Sequence, residues 1–181
     1  MHNSEAIEKR NTSWVLHGCV FLFVNFVLVA LDQWLKWWSS TNLPLGGPRV
    51  LVDGVLGLRY FHNTGAAFGF LGGQDWGRWV LTVLVTLLLV LLAWYYFWLP
   101  AGGKLWRIRV PLAFVFAGGL GNLIDRVRLG YVVDMLEFLF VRFAIFNLAD
   151  VFVVAGMAML IAGTFSMGAD APWPFGEKRK N

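Results

Sequence analysis

The chain has 181 residues, of which 58% are hydrophobic, 17% aromatic and only 14% charged, and its mean hydropathy is +0.63. A soluble domain carries about a quarter charged residues, so this composition excludes an ordinary soluble fold and points to a single-domain helical bundle in lipid. The net charge of +4 is small and its basic residues fall at the chain ends and in loops, which suits anionic headgroups and excludes a nucleic-acid footprint.

The first apolar run, Trp14 to Leu35, is 22 residues long, enough to cross about 30 Å of hydrocarbon. Its single cysteine, Cys19, excludes an intrachain disulfide. Leu16-His17-Gly18-Cys19 loosely resembles a lipidation box, but only Trp14, Val15 and Leu16 separate it from Lys9-Arg10. That is too short for a signal-peptide apolar region, so Cys19 reads as buried filler on the first helix. Asn25, mid-span, reads as a helix–helix hydrogen bond. Trp34, Trp37 and Trp38 close the span as an interfacial belt.

An outer segment follows at 39–78. Within it Val50-Leu51-Val52 and Val55 to Phe61 flank Asp53-Gly54, a hairpin signal for a small sheet on the membrane surface. The second span, 79–99, carries no charge in its apolar run and ends in Trp94, Tyr95, Tyr96 and Trp98, a belt on the opposite face. The third, 110–126, contains Gly118, Gly119 and Gly121, which permit close helix approach. Tyr131 to Phe140 is apolar apart from Asp134 and Glu137. It is too short to cross and reads as a short extracytoplasmic helix or re-entrant element, tolerated where it is buried in protein or lines a wet cavity. The fourth span covers 146–165, and the tail from Asp170 reads as mobile. The fold expected is an α-helical polytopic membrane protein, four transmembrane helices with a small periplasmic β-containing segment.

Four spans place both termini on one side. The termini and the 100–109 loop hold eight basic residues against seven on the other side. The short basic loop Lys104–Arg109 then favours termini in the cytoplasm.

The unusual polar residues map to the face opposite the termini. Asp32 and Lys36 are four apart and can pair on one helix face. Asn122, Asp125 and Arg126 share a face at the end of the third span. Asn147 and Asp150 open the fourth, and Asn63-Thr64-Gly65-Ala66-Ala67-Phe68 precedes the second. Carboxylates in apolar runs are costly unless paired, wetted or protonated. Two aspartates close together share a proton. One can then activate water as a base while the other, protonated, polarises a carbonyl, which cleaves a peptide bond without a metal. No Cys/His cluster suggests a metal, and His17 and His62 read as non-functional. Asp32–Lys36 also reads as an interfacial ion pair, and Asp125–Arg126 as a span-capping pair with its charges at the headgroups. Asp134 and Asp150 stand in apolar runs without an adjacent cation.

Asp32 with Lys36 in ALDQWLKWW, Asn63 to Phe68 in HNTGAAFGF, GNLIDRV, YVVDM and FNLAD come in an order that resembles the lipoprotein signal peptidase family, signal peptidase II. The resemblance covers about 120 residues. It implies a four-span aspartic endopeptidase of the bacterial inner membrane, its site near the periplasmic face. Such an enzyme removes signal peptides just before a cysteine carrying diacylglycerol. The family's dyad falls on Asp134 and Asp150. Its supporting residues fall on Asp32, Lys36, Asn63, Gly65, Asn122, Asp125, Arg126 and Asn147. Met135 stands where a bulkier apolar residue such as Phe is expected. The resemblance implies no cofactor, membrane lipids and lipidated prolipoproteins as partners, and inhibition by globomycin and myxovirescin. The outer segment 42–75 would suit a lid over the substrate.

A proton- or ion-coupled transporter is the rival reading, but it calls for mid-span carboxylates and repeated halves. An assembly subunit binding a partner helix is a third.

Overall fold

The computed structural model describes residues 2–43, 49–65, 76–100, 103–168 and 172, with side chains from Trp14 onward. The residues Ala66–Phe68 of the segment Asn63 to Phe68, much of the expected lid and nearly all of the tail beyond Gly168 lie outside them. Four long helices carry the chain: α1 His2–Asn42, α2 Gly77–Trp98, α3 Trp106–Leu129 and α4 Leu148–Met167. Three strands, β1 Arg49–Val52, β2 Leu56–Asn63 and β3 Val132–Phe138, form one antiparallel sheet in that order.

Each helix has a stretch long and apolar enough to span a membrane. The helices turn Phe23, Phe26, Leu84, Leu87, Leu91, Val154 and Phe165 outward, an apolar exterior that only lipid can solvate favourably. Helix α3 is the axis. Its spanning window is 56% buried, against 11%, 17% and 22% for the other three, and it packs on α1, α2 and α4. Glycine makes this possible. A Cβ on Gly118 would collide with the Ala149 carbonyl of α4, and one on Gly121 would sit 2.6 Å from Asp32 Oδ2 of α1.

The helices alternate in direction, so the far end of α2 meets the early part of α1. There Phe21 packs against Tyr96 with ring centroids 4.3 Å apart, and Leu99, Ile108 and Leu112 extend a buried cluster. Tyr96, expected in the interfacial belt, belongs to this core at 3% exposure, its hydroxyl donating to the His17 carbonyl. Its belt neighbours Trp94 and Trp98 are exposed, and so is Cys19, expected as buried filler but turned outward with the apolar exterior of α1. Asn25 differs too. It donates back to Phe21 O of its own helix at 2.8 Å, because an i−4 carbonyl is the nearest acceptor for a short amide on an apolar helix.

The sheet caps the opposite end. Asp53-Gly54 makes the expected hairpin, with Gly54 at φ +65° and Val55 N donating to Val52 O. The stretch read as a helix or re-entrant element is β3, the strand that docks β2 onto the bundle. Its sequence VVDMLEF is buried on both faces at its start, and such strands lack the alternation that marks a half-exposed one. Alternation still operates in space. Val133 and Met135 pack with Leu43, Leu58 and Tyr60, while Val132 and Asp134 face a cavity. Met135 Sδ accepts from Ser39 Oγ at 3.2 Å, so the methionine ties β3 to the end of α1.

Candidate active site

The sequence FNLAD builds one side of the site by local chemistry. Asn147 is extended, at φ −130° and ψ −179°, and caps α4. Its Oδ1 accepts from Asp150 N at 3.0 Å while Asp150 Oδ2 accepts from Asn147 N at 3.1 Å. This reciprocal capping box fixes the Asp150 side chain at the start of the helix. Just upstream, Phe146 exchanges both backbone hydrogen bonds with Leu136, which lays the cap beside β3.

Asp134 arrives on β3, fully buried. Its Oδ1 accepts from Asn147 Nδ2 at 2.7 Å and its Oδ2 from Asn63 Nδ2, at the end of β2, at 2.9 Å. Asn122 of α3 gives its Nδ2 to Asp150 Oδ1 at 2.8 Å, and its Oδ1 accepts from Asn147 Nδ2 and Lys36 Nζ. Three asparagines thus hold two carboxylates from four elements. Burial pushes the Asp134 carboxyl up to about 7. The neighbouring Asp150 adds to the rise, while the amides of Asn63 and Asn147 work against it.

Beneath lies a buried ionic layer. Lys36 Nζ reaches Asp32 Oδ2 at 2.9 Å, Asp125 Oδ2 at 3.0 Å and Asn122 Oδ1 at 2.9 Å, using all three of its donors. Asp32 Oδ1 also accepts from Ala149 N of α4, and Asp125 Oδ2 from Val133 N of β3. The i, i+4 pair Asp32–Lys36 therefore forms, but in the interior of the protein. Asp125 is 3% exposed, so the expected headgroup-level pairing with Arg126 does not occur. The fold brings α1 against α3, and burial favours the partner that satisfies both carboxylates. Arg126 instead donates to the carbonyls of Gly65 and Asn122 at 3.3 and 3.5 Å, and Gly65 N donates to Asn63 Oδ1 at 3.0 Å. All ten candidate residues thus converge.

One member escaped the sequence reading. Gln33 Nε2 donates to Asp125 Oδ1 at 2.9 Å and to Asp32 Oδ2 and Gly121 O at 3.2 Å. Its signal was available: a polar residue between Asp32 and Trp34, three before Lys36. His62 stacks on Tyr131 at 3.9 Å and meets the Tyr60 hydroxyl at 2.8 Å, and neither ring lines the cavity.

That cavity, about 600 Å³, has Asp134, Asp150, Asn63, Asn122 and Arg126 as its polar groups, and apolar walls including Phe138, Phe146, Val151 and Val154. It thus combines a polar floor with an apolar flank.

The family model for signal peptidase (SPase) II matches residues 24–166. The chain belongs to the signal peptidase II family. It is 39% identical over 142 residues to lipoprotein signal peptidases of Streptococcus pyogenes serotypes M5 and M18, a match covering 78% of this chain and 90% of each relative. Two solved bacterial membrane enzymes, determined by the in meso method at 2.3 and 1.9 Å resolution, share the fold. The first has a TM-score of 0.69 at 25% identity, covering 90% of this chain and 93% of that one. The second has 0.63 at 28% identity, covering 79% and 90%. This signal peptidase II homologue is a membrane-embedded protease.

Proposed function

We propose that the chain removes signal peptides from diacylglyceryl-modified prolipoproteins, cutting just before the lipidated cysteine, with Asp134 and Asp150 as the catalytic pair. The observation that carries this reading is the pairing of two asparagine-held carboxylates with a largely apolar cavity wall. A lipidated cysteine keeps its acyl chains in the bilayer, and the apolar wall suits them while the floor holds the peptide. The supporting roles fall to Asp32, Lys36, Asn63, Gly65, Asn122, Asp125, Arg126 and Asn147. Carboxylates gathered at one end of the bundle fit this reading better than an ion relay, which needs them at mid-span.

Asp134, with its carboxyl raised to about 7, takes the acid role. Asp150 accepts N–H donors at the N-terminus of α4 and takes the base role. Asp150 removes a proton from water as the water oxygen attacks the scissile carbonyl carbon, and Asp134 gives its proton to the carbonyl oxygen. The resulting gem-diol collapses: its hydroxyl proton returns to Asp134, the C–N bond breaks, and Asp150 delivers its proton to the leaving amine. Both carboxyls end as they began. Arg126 and Asn63 flank the floor and are suited to hold substrate carbonyls.

In this reading both termini are cytoplasmic and the sheet end meets the outer leaflet of a bacterial inner membrane. Globomycin and myxovirescin would compete for the cavity. The test follows cleavage of a diacylglyceryl prolipoprotein by wild type, Asp134→Asn and Asp150→Asn, beside a non-lipidated control. Folded variants without activity, and an uncut control, are expected. Cleavage by both variants would overturn the dyad.

A further inference from the structure

A second cavity, about 250 Å³, lies at the end of the bundle remote from the carboxylates. Its walls are Val20, Phe21 and Val24 of α1 and Trp106, Val110 and Phe114 of α3, and Arg109 enters it. Val20, Val110 and Trp106 are exposed, so the cavity opens on the lipid-facing surface. Arg109 and Asp125 are 16 positions apart on α3, which sets the guanidinium's helix position about 24 Å along the axis from that of Asp125.

Arg109 is the anomaly. It is 5% exposed, yet every acidic side chain among the described residues (Asp32, Asp53, Asp125, Asp134, Glu137 and Asp150) belongs to the other end. Both of its hydrogen bonds leave from Nη2, to the Leu99 and Pro100 carbonyls at 2.8 and 3.2 Å. Its Nε is buried with no partner among the described residues. The Tyr96 ring lies 5.6 Å from the guanidinium carbon. Capping the end of α2 accounts for one nitrogen and part of the charge. It does not account for a whole cation sunk beside an apolar cleft: among the described residues no carboxylate pairs with it, and a buried charge left unpaired costs several kcal/mol.

An occupant with an anionic head and an alkyl body would complete the site. We propose that this cavity binds an anionic phospholipid, its phosphate on Arg109 and one acyl chain in the cleft between α1 and α3. Phosphate oxygens are matched to guanidinium donors. Arg107, beside Trp106 at 5.8 Å and bonded to Ser166, and Lys104, just before α3, supply further cations at the same end of the bundle.

The test uses the full chain purified in detergent and offered phosphatidylglycerol, phosphatidylcholine of the same acyl chains, or inorganic phosphate. Retained lipid is read by native mass spectrometry and stabilisation by thermal unfolding. A basic site of this kind favours the anionic headgroup by about 1 kcal/mol per cation, a roughly fivefold preference per charge. The wild type should retain phosphatidylglycerol over phosphatidylcholine by at least that ratio and unfold at a higher temperature with it. Arg109→Gln should bring the two lipids to parity. Should that variant fail to fold for want of the α2 cap, Val110→Trp decides: it fills the cleft from an exposed position, leaves Arg109 in place, and should also abolish the preference. Equal retention of both lipids by the wild type, or an undiminished preference in Val110→Trp, would overturn the proposal. So would inorganic phosphate matching the full stabilisation, which would make this a free-anion site.

Discussion

Asn147 Nδ2 donates to Asp134 Oδ1 at 2.7 Å, joining the N-cap of α4 to the third strand of the sheet. The same residue caps α4 and holds Asp150 in its capping box. One side chain therefore sets the separation of the two carboxylates, and its two tasks can be parted by mutation. Asn147→Ala should cost about 1 kcal/mol through the lost cap and lower turnover about a hundredfold through misplacement of the pair. Asn147→Ser keeps an oxygen for the cap but cannot reach Asp134. Its thermal stability should return toward wild type while turnover stays low. Parallel recovery of both would mean that Asn147 acts only through the fold of α4.

The raised Asp134 carboxyl sets the direction of two pH dependences. Unfolded, it titrates near 3.8; folded, near 7. Between these values the folded protein binds more protons than the unfolded chain, so stability falls as pH rises through this window and levels off above it. The stabilising contribution is fully present below the unfolded value and gone above about 7. Asp134→Asn should flatten the decline in unfolding temperature between those limits. Turnover that uses protonated Asp134 as the acid should likewise fall above about pH 7. A turnover profile still rising past that point would assign the proton elsewhere.

Local signals carried much of this arrangement in the sequence. Four apolar runs marked the helices, Asp53-Gly54 marked the hairpin, and Asn147 and Asp150, three apart, marked the opening of the fourth span. What stayed hidden depends on contacts distant in sequence. Lys36 bonds Asn122 and pairs with Asp125, 86 and 89 positions onward, once Gly121 lets α1 approach α3; nothing local separates that outcome from a pairing with the adjacent Arg126. Gln33 likewise bonds residues 88 and 92 positions away. Strand β3 was obscured because its first four residues are all buried, which erases the period-two signature. Tyr96 stands in a run of aromatics whose inward and outward members are told apart only by the position of Phe21.

The ionic layer under the asparagines makes a prediction of its own. Lys36 is the only cation that reaches Asp32 and Asp125 among the described ion pairs. Lys36→Met would leave both carboxylates buried without a counter-charge, at a cost of about 3–5 kcal/mol. Combining it with Asp32→Asn and Asp125→Asn removes the stranded charges and should recover much of that loss in thermal unfolding. Turnover should not recover with it, because Asn122 Oδ1 still lacks its Lys36 donor and its amide is less firmly aimed at Asp150. If activity returns together with stability, the layer serves the fold alone.

Two neighbouring glycines of α3 offer a matched comparison. A Cβ at Gly121 would lie 2.6 Å from Asp32 Oδ2 and 3.3 Å from the Ala149 methyl, both fixed by the ionic layer and the α4 cap. A Cβ at Gly119 would meet Leu89 Cδ2 at 2.9 Å, the far end of a side chain that can rotate. Gly121→Ala should therefore force α1 and α3 apart, cost about 1–3 kcal/mol as overpacking does, and impair cleavage by disturbing Asp32 and Lys36. Gly119→Ala gains the helix propensity of alanine and should fall near wild type in both measurements. Equal effects from the two substitutions would mean that crowding along α3, rather than the approach to Asp32, governs this face.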